Sequence, residues 1–315
     1  MWIRNVLIGF LVLIGVILVV LLAMIGIANS GVGAQKLTDD DLNPSWMASI
    51  DDDTKINEMY IPGTHDSGAL YSFFGISGKC QSYGIKDQLN MGVRFFDIRL
   101  QLRDDKLAVV HSFVDQKLTF ESVLEDIKAF MLENPSEYII VSIKEDADPE
   151  NSTLNFASVV ENYLYTYLPE NMLDTGSSVP ETLGSARGKV SILSRYAGAS
   201  IGIPAHNGWQ DSTYFELGTL YVQDYYKISD TDAKMASISV AYSRAHVPSS
   251  YALVINFTSC YLEKGFPPTN APVTAKIINP LVLDQLREGK AAPCVFVSDF
   301  VTTEFINAII DQNLK

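Results

Sequence analysis

The chain has 315 residues, of which 47% are hydrophobic and 19% are charged, a balance that suits a globular protein with a full core. Its 37 acidic residues against 23 basic ones leave a net charge of -14, which argues against a nucleic-acid partner because phosphate backbones are bound by basic surfaces. The same acidity argues against attraction of the whole chain to anionic lipid.

An apolar segment near the N-terminus predicts a membrane-spanning helix. From Val6 to Ala28 the only residues that are not aliphatic are glycines, one Met and one Phe. A helix of about 20 residues crosses the hydrocarbon core, and Arg4 on the near side places the N-terminus in the cytoplasm. We interpret residues 1–28 as an uncleaved signal anchor in preference to a cleaved signal peptide, whose apolar region is shorter. In either case the chain from Gln35 onward faces outward, at the cell membrane or secreted.

Residues 29–44 form a polar linker, and residues 45–315 are predicted to form one domain. Short apolar, β-branched runs recur through this domain, and helix-like stretches separate several of them. The runs are "MYIP", "GVRFFDI", "LAVV", "YIIVSI", "KVSIL", "LYVQ", "ALVINF" and "CVFVS". Apolar runs that alternate with helices indicate a parallel sheet, and eight of them predict a (β/α)8 barrel of the TIM type.

Two local patterns refine this prediction. The stretch "FESVLEDIKAFMLENP" places Val123, Ile127, Phe130 and Met131 on one face of a helix that Pro135 closes. The stretch "RDDK" follows the second run and looks like a hairpin turn, since too few residues separate the second and third runs for a helical crossover. We therefore expect the barrel to be distorted there.

A polar or charged residue follows nearly every run. Pro62 and Gly63 are expected to end the first strand, and His65 comes directly after them. In barrel enzymes the chemistry lies at the carboxyl ends of the strands, so these residues should converge on one mouth. They are His65, Arg99, His111, Lys144, Arg195, Asp224 with Tyr226, and Asp299. His206 and His246 lie outside this pattern and are interpreted as structural.

Histidines, carboxylates and cations at one mouth indicate phosphoryl chemistry. A histidine with a pKa near neutrality takes a proton from an attacking hydroxyl, and a second gives one to the leaving oxygen. An arginine holds two phosphate oxygens and offsets the charge of the transition state.

These motifs resemble those of the bacterial phosphatidylinositol-specific phospholipases C. The resemblance rests on "IPGTHDSGAL", "MGVRFFDIRL", "VVHS", "NPSEYIIVSIKED", "GKVSILSRYAG" and "YVQDYYK". It implies a distorted TIM barrel that cleaves phosphatidylinositol to diacylglycerol and inositol 1,2-cyclic phosphate. His65 matches the general base, and Asp299 matches the carboxylate that orients it. His111 matches the general acid, Asp66 its supporting carboxylate, and Arg99 the phosphate clamp.

The resemblance also implies an inositol-binding set and one departure. Lys144, Arg195 and Asp224 match residues that bind the inositol hydroxyls, and Tyr226 matches an aromatic residue that stacks on the ring. The family usually has glycine after the second histidine, where this chain has Ser112. We expect this difference to affect the rate more than the reaction class.

The expected partner is a membrane that contains phosphatidylinositol, and a rim loop is a candidate for touching it. Phe73, Phe74 and Ile76 follow the catalytic loop among glycines and serines, which suits an exposed apolar tip, although core packing is an equal alternative. No cofactor and no metal are expected, because Arg99 stands where related eukaryotic enzymes hold calcium. The oligomeric state is left open.

Two other functions compete with this interpretation. A glycerophosphodiester phosphodiesterase is also a barrel with two histidines, but it uses a metal. A membrane-tethered protein that binds inositol lipid without catalysis is the second alternative.

Among the cysteines, two of Cys80, Cys260 and Cys294 could pair in an exported chain, and Cys294 is interpreted as a small buried apolar residue.

Overall fold

The structure is a computed structural model that describes residues 2–29, 33–72, 78–247, 252–263 and 271–315. The helices within these ranges are α1 (Trp2–Asn29), α2 (Ile85–Met91), α3 (Phe120–Glu133), α4 (Phe156–Tyr167), α5 (Leu183–Ala186), α6 (Thr231–Ala245), α7 (Ala271–Arg287) and α8 (Thr303–Ile310). The strands are β1 (Ile61–Thr64), β2 (Phe95–Arg103), β3 (Lys106–His111), β4 (Val114–Thr119), β5 (Ile139–Glu145), β6 (Leu173–Asp174), β7 (Val190–Arg195), β8 (Ile203–Pro204), β9 (Tyr214–Leu217), β10 (Leu220–Gln223), β11 (Lys227–Ile228), β12 (Leu253–Phe257), β13 (Tyr261–Leu262) and β14 (Val295–Ser298).

The main sheet is curled into a distorted TIM barrel, as predicted. Its strands lie in the order β6-β7-β5-β2-β1-β14-β12-β10-β9, and neighbours are parallel except for β9, which runs antiparallel to β10. No hydrogen-bonded pairing between described residues joins β9 to β6, so the barrel is open on that side. The parallel strands direct their carboxyl ends to one mouth.

The run "LAVV" does not form one of the parallel strands of the barrel. It forms β3, which turns back antiparallel on the far half of β2 and pairs Val109 with Leu100. Asp104 and Asp105 make the turn with φ angles of 49° and 62°, the backbone of a tight hairpin, so the hairpin predicted from "RDDK" is confirmed. The other seven runs supply parallel strands, and the hairpin accounts for the distortion.

The prediction that Pro62 and Gly63 end the first strand is wrong, because both lie inside β1. Pro62 is tolerated in this central strand because of the register. The carbonyl of Pro62 accepts from the Arg94 amide on the side that faces β2. Strand β2 begins only at Phe95, which pairs with Gly63, so Pro62 lies before the first paired residue of this ladder. The missing amide of Pro62 therefore costs no ladder hydrogen bond.

Amphipathic helices cover the outside of the barrel. In α3 the residues Val123, Ile127, Phe130 and Met131 are buried, and the helix ends just before Pro135, which confirms the predicted face and end. Thr119 caps the other end by accepting from the Ser122 amide.

Helix α1 is set apart by its composition. The segment Arg4–Ala23 has a mean hydropathy of 3.4 and is long and apolar enough to cross a membrane, and none of it is buried in the protein. Such a helix at the N-terminus is consistent with a signal sequence or an anchor.

Candidate active site

A cavity of about 510 Å³ opens at the carboxyl ends of the parallel strands. Eight of the nine predicted catalytic and substrate-binding residues line it, and the ninth, Asp66, lies buried beside it. The eight are His65, Arg99, His111, Lys144, Arg195, Asp224, Tyr226 and Asp299. Residues that lie as far apart in the sequence as His65 and Asp299 therefore share one site.

His65 is held between a carboxylate and a guanidinium. It directly follows β1, and its amide donates to the Ser298 carbonyl of the neighbouring β14 at 3.0 Å. On the ring, Nδ1 lies 2.8 Å from Asp299 Oδ1, and Nε2 lies 2.7 Å from Arg99 Nη2. Since Arg99 only donates, these contacts assign a neutral ring with its proton on Nδ1 and with the lone pair of Nε2 accepting from Arg99.

The electrostatics of His65 suit a base. Burial alone would lower the pKa of His65, and Arg99 acts in the same direction, but the carboxylates of Asp299 and Asp97 together outweigh both, and the pKa lies above its ordinary value. Asp299 is itself only 2% exposed, and its backbone carbonyl accepts from Asn279 at 2.8 Å. The carboxylate is thus fixed where it orients the imidazole and stabilises the imidazolium.

Arg99 is fixed by buried carboxylates. Its Nε and Nη2 donate to Asp97 Oδ2 at 3.2 and 3.1 Å, and its Nε lies 3.6 Å from Asp66 Oδ2. Asp97 also accepts from Arg195 at 3.1 Å. Burial alone would raise the pKa of Asp97, but the two guanidinium groups hold it well below its usual range. Asp97 precedes Arg99 by two residues on β2, so both side chains lie on the same face of the strand and can pair.

His111 reaches the same mouth from the hairpin. It is the last residue of β3, two residues beyond the Val109–Leu100 pair, and the antiparallel register returns it to the level of Ile98, next to Arg99. Its Nδ1 lies 3.5 Å from Asp66 Oδ2 and 3.8 Å from Cys80 Sγ. Burial raises the pKa of Asp66 above its ordinary value, against the opposing effect of Arg99.

Ser112, the residue where the family usually has glycine, has a left-handed backbone with φ of 55°. Glycine adopts this conformation without strain, which is the physical reason for its use there. The Ser112 amide donates to Asp146 Oδ2 at 2.7 Å and ties this turn to β5.

The far side of the cavity is polar and aromatic. The Arg195 guanidinium stacks 3.6 Å from the centroid of the Trp209 ring, and Trp209 Nε1 donates to Asp224 Oδ2 at 3.1 Å. Lys144 Nζ lies 2.5 Å from Asp146 Oδ1. These contacts arrange donors and acceptors in a fixed pattern, as recognition of a polyol requires.

Tyr226 stands at the rim beside Tyr261, with ring centroids 5.8 Å apart. Its hydroxyl donates to Asp211, which also pairs with Lys227 at 2.5 Å. Burial and the Asp211 carboxylate raise the pKa of Tyr226 to about 12, so the phenol stays neutral.

Several neighbours of the site are not among the residues that the sequence pattern predicts. Trp209, Asp211 and Cys80 line the cavity, and Asp146 fixes Lys144 and Ser112. Asp146 follows the β5 cation by two residues, and that spacing could have identified it. Trp209 and Cys80 come from loops without a strand pattern, so the sequence carried no comparable signal for them.

Three predicted site residues cannot be placed. Phe73, Phe74 and Ile76 belong to residues 73–77, which lie outside the described residues.

The three cysteines are free and buried in the structure, so the possible disulfide is not formed. His206 and His246 are exposed and lie outside the cavity lining.

Two groups of side chains could each hold a metal ion among the described residues. One is His65, Cys80 and Asp299, and the other is Asp66, Cys80 and His111. Both include the Cys80 thiol, and neither has the all-oxygen ligands that calcium prefers.

The sequence matches a family and several characterised proteins. The model of the family "Phosphatidylinositol-specific phospholipase C, X domain" matches residues 55–196. The chain is 29% identical over 321 residues to 1-phosphatidylinositol phosphodiesterase of Staphylococcus aureus, covering 94% of this chain and 96% of that protein. It is also 29% identical over 242 residues to the enzyme of the same name from Listeria monocytogenes, covering 67% and 72% of the two chains.

A solved structure agrees with these matches. Phosphatidylinositol-specific phospholipase C of Staphylococcus aureus, in a structure concerned with modulation of its membrane binding, superposes with a TM-score of 0.75 at 27% identity. The superposition covers 87% of this chain and 99% of that one. The similarity therefore extends over the whole barrel.

Proposed function

The chain belongs to the bacterial-type phosphatidylinositol-specific phospholipase C family, and on that premise we propose that it cleaves phosphatidylinositol by proton transfer between two histidines, without a metal ion. The products are diacylglycerol and inositol 1,2-cyclic phosphate, so the reaction is formally that of a lyase. The observation that supports this mechanism best is the position of His65 Nε2, whose lone pair is backed by Asp299 on the other ring nitrogen and accepts from the guanidinium of Arg99.

In the first half of the reaction, His65 Nε2 takes the proton of the inositol 2-hydroxyl. The 2-oxygen then forms a bond to phosphorus, and the imidazolium that results is stabilised by Asp299 at 2.8 Å. The nucleophile belongs to the substrate itself, so the attack is intramolecular and needs no separate positioning of a water molecule. Arg99 moves from His65 to the phosphate and offsets the charge on the non-bridging oxygens.

In the second half, the bond between phosphorus and the diacylglycerol oxygen breaks. His111 gives a proton to that oxygen, and diacylglycerol leaves as a neutral alcohol. Asp66, buried 3.5 Å from His111 Nδ1, stabilises the charged form of His111 before transfer and holds Arg99 on its other side. Slow hydrolysis of the cyclic phosphate follows with the two histidines exchanging roles.

The inositol ring is proposed to bind between Arg195 and Tyr226. Lys144, Arg195 and Asp224 supply two donors and one acceptor to its hydroxyls, and Tyr226 covers one face of the ring at the rim. Either free phosphatidylinositol or a glycosylated inositol lipid anchor is proposed as the substrate.

The membrane arrangement is also a proposal. Residues 1–28 act as a signal anchor or signal peptide, residues 29–44 as a linker, and residues 45–315 as the catalytic barrel outside the cell. A net charge of -14 gives the chain no attraction to an anionic bilayer, so an anchor would supply the proximity that electrostatics does not. The Phe73, Phe74 and Ile76 tip is proposed to touch the lipid surface.

Phosphorus NMR tests the reaction directly. The full chain in detergent is incubated with phosphatidylinositol, and we expect the resonance of a five-membered cyclic phosphate to appear before any acyclic monophosphate. Direct formation of the acyclic product, lost on chelation, would favour the metal-dependent phosphodiesterase instead. Binding of the lipid without either product would favour the inactive binding protein.

A further inference from the structure

The thiol of Cys80 lies at the centre of the catalytic cluster, although the proposed reaction does not use it. Cys80 is 1% exposed, and its Sγ lies 3.8 Å from His111 Nδ1. The thiol belongs to two groups, with Asp66 and His111 and with His65 and Asp299, in which all ligand atoms lie within 4.8 Å of one another. A soft ligand atom therefore stands beside both catalytic histidines.

The buried carboxylate of Asp66, which belongs to one of these groups, receives no hydrogen bond from the described residues. Asp66 is 0% exposed, and within the described ranges neither of its carboxylate oxygens accepts a hydrogen bond. Its contacts are ion pairs at longer range, 3.6 Å to Arg99 Nε and 3.5 Å to His111 Nδ1. Because buried carboxylates are normally hydrogen-bonded, these oxygens retain the capacity to bind a cation.

Two of the three separations between the ligand atoms fit a tetrahedral metal ion, and the third, between Asp66 and Cys80, is within 4.8 Å. With zinc bonds of typical length, a tetrahedral site places nitrogen and oxygen ligands about 3.3 Å apart and nitrogen and sulfur ligands about 3.6 Å apart. The observed separations are 3.5 Å from His111 Nδ1 to Asp66 Oδ2 and 3.8 Å from His111 Nδ1 to Cys80 Sγ. Each exceeds the ideal edge by only about 0.2 Å.

The second group is less suited to a metal. His65 Nδ1 already makes a hydrogen bond of 2.8 Å to Asp299, which a metal would have to break. Near the first group, the positive charge that opposes a metal ion is the Arg99 guanidinium. Two of the Arg99 nitrogens already donate to Asp97 Oδ2. The additional carboxylates of Asp97 and Asp299 leave the surroundings favourable to a cation.

We propose that Asp66 Oδ2, Cys80 Sγ and His111 Nδ1 form an inhibitory site for zinc or another soft divalent cation. As the metal binds, the sulfur–hydrogen bond of Cys80 breaks, its proton goes to water, and a sulfur–metal bond forms without any change of oxidation state. The metal occupies His111 Nδ1 and the Asp66 carboxylate that supports it. Magnesium and calcium prefer oxygen ligands and are excluded by the same donor set.

Metal binding is measured first, because it does not depend on any activity. The full chain in detergent is stripped with EDTA and titrated with zinc chloride by calorimetry, and with cobalt chloride by absorbance. We expect one ion per chain and a thiolate-to-cobalt charge-transfer band. Cys80→Ser should weaken binding by about tenfold or more and abolish the band, since the thiolate is the softest of the three ligands. Cys260→Ser is the matched control, a thiol that lines the same cavity but belongs to neither group.

Inhibition is measured second, and this arm rests on the proposed function. Zinc should inhibit cleavage of a soluble phosphatidylinositol analogue, EDTA should restore it, and magnesium should have no effect. Each variant is compared with its own zinc-free rate, and thermal melting verifies that Cys80→Ser folds.

Three results would overturn the site: no zinc binding by the wild-type chain, equal affinity in Cys80→Ser, or binding that leaves the rate unchanged. A chain that binds cobalt through Cys80 but never cleaves the lipid would support the site and contradict the proposed function.

Discussion

The guanidinium of Arg99 contacts one ring nitrogen of His65, with 2.7 Å between Arg99 Nη2 and His65 Nε2. The nitrogen proposed to take the substrate proton is therefore engaged until something else attracts the guanidinium. A phosphate diester is such a competitor, because it offers charged oxygens to which arginine binds bidentately. In the proposed mechanism, phosphate binding and release of the base are therefore a single event.

Removal of either histidine should nearly abolish the reaction. His65→Ala and His111→Ala each lose a proton-transfer group, and such a loss costs about 10²- to 10⁴-fold in kcat. Turnover of phosphatidylinositol and thermal melting are measured together. The matched control is His246→Ala, because His246 is exposed at the end of α6, outside the cavity. Near wild-type turnover of either catalytic variant would reject the role assigned to it.

Chelation should leave the wild-type rate unchanged. Arg99 carries a fixed charge at the phosphate, so the proposed mechanism needs no metal for charge neutralisation. The rate is measured before and after exhaustive treatment with EDTA. Arg99→Asp should remove activity, because it replaces the clamp with a like charge to the phosphate. Loss of wild-type activity on chelation, with recovery on addition of calcium, would contradict the arginine clamp.

The acid limb of the pH profile should report His65. A general base must be neutral, so kcat/KM falls as the pH drops through its pKa, which lies above the ordinary histidine value in this site. Asp299→Asn removes the charge that raises this pKa. The variant should therefore be slower, with an acid limb displaced to lower pH. An acid limb that stays in place would show that Asp299 does not control the protonation of His65.

Trp209 should act on substrate affinity more than on turnover. It stacks on Arg195 and donates to Asp224, so Trp209→Ala frees both of these residues, which are proposed to bind inositol. A desolvated cation–π contact contributes about 2 kcal/mol, so KM should rise by more than about tenfold. Trp209→Phe keeps a ring for Arg195 and should give an intermediate KM. A larger effect on kcat than on KM would instead place Trp209 at the reacting atoms.

Ser112→Gly should relieve backbone strain. A left-handed non-glycine residue costs about 1 kcal/mol, and the higher unfolded-state entropy of glycine offsets part of the gain. We expect the melting temperature to rise by about 2 °C at most. Ser112→Ala keeps the Cβ atom and should leave it near the wild-type value. A lower melting temperature for Ser112→Gly would show that the serine side chain stabilises the turn.

The sequence alone determined the barrel class and most of the site. Apolar runs that end in charged residues predicted both the strands and their shared mouth, because a parallel barrel directs all carboxyl ends to one side. This logic identified the positions of Lys144, Arg195 and Asp224 correctly, since each depends only on the end of a local strand. The N-terminal apolar segment was recognised for the same reason, because length and hydropathy are local properties.

The tertiary structure decided what depends on distant partners. The register of β1 against β2 tolerates Pro62 inside a central strand, and the β2–β3 hairpin brings His111 back beside Asp66. Trp209 and Cys80 enter the cavity from loops, whose paths depend on packing against the barrel and not on a periodic pattern. Local sequence locates most of the strands and the charged residues that follow them, but only long-range packing sets the distances between side chains on which proton transfer and metal binding depend.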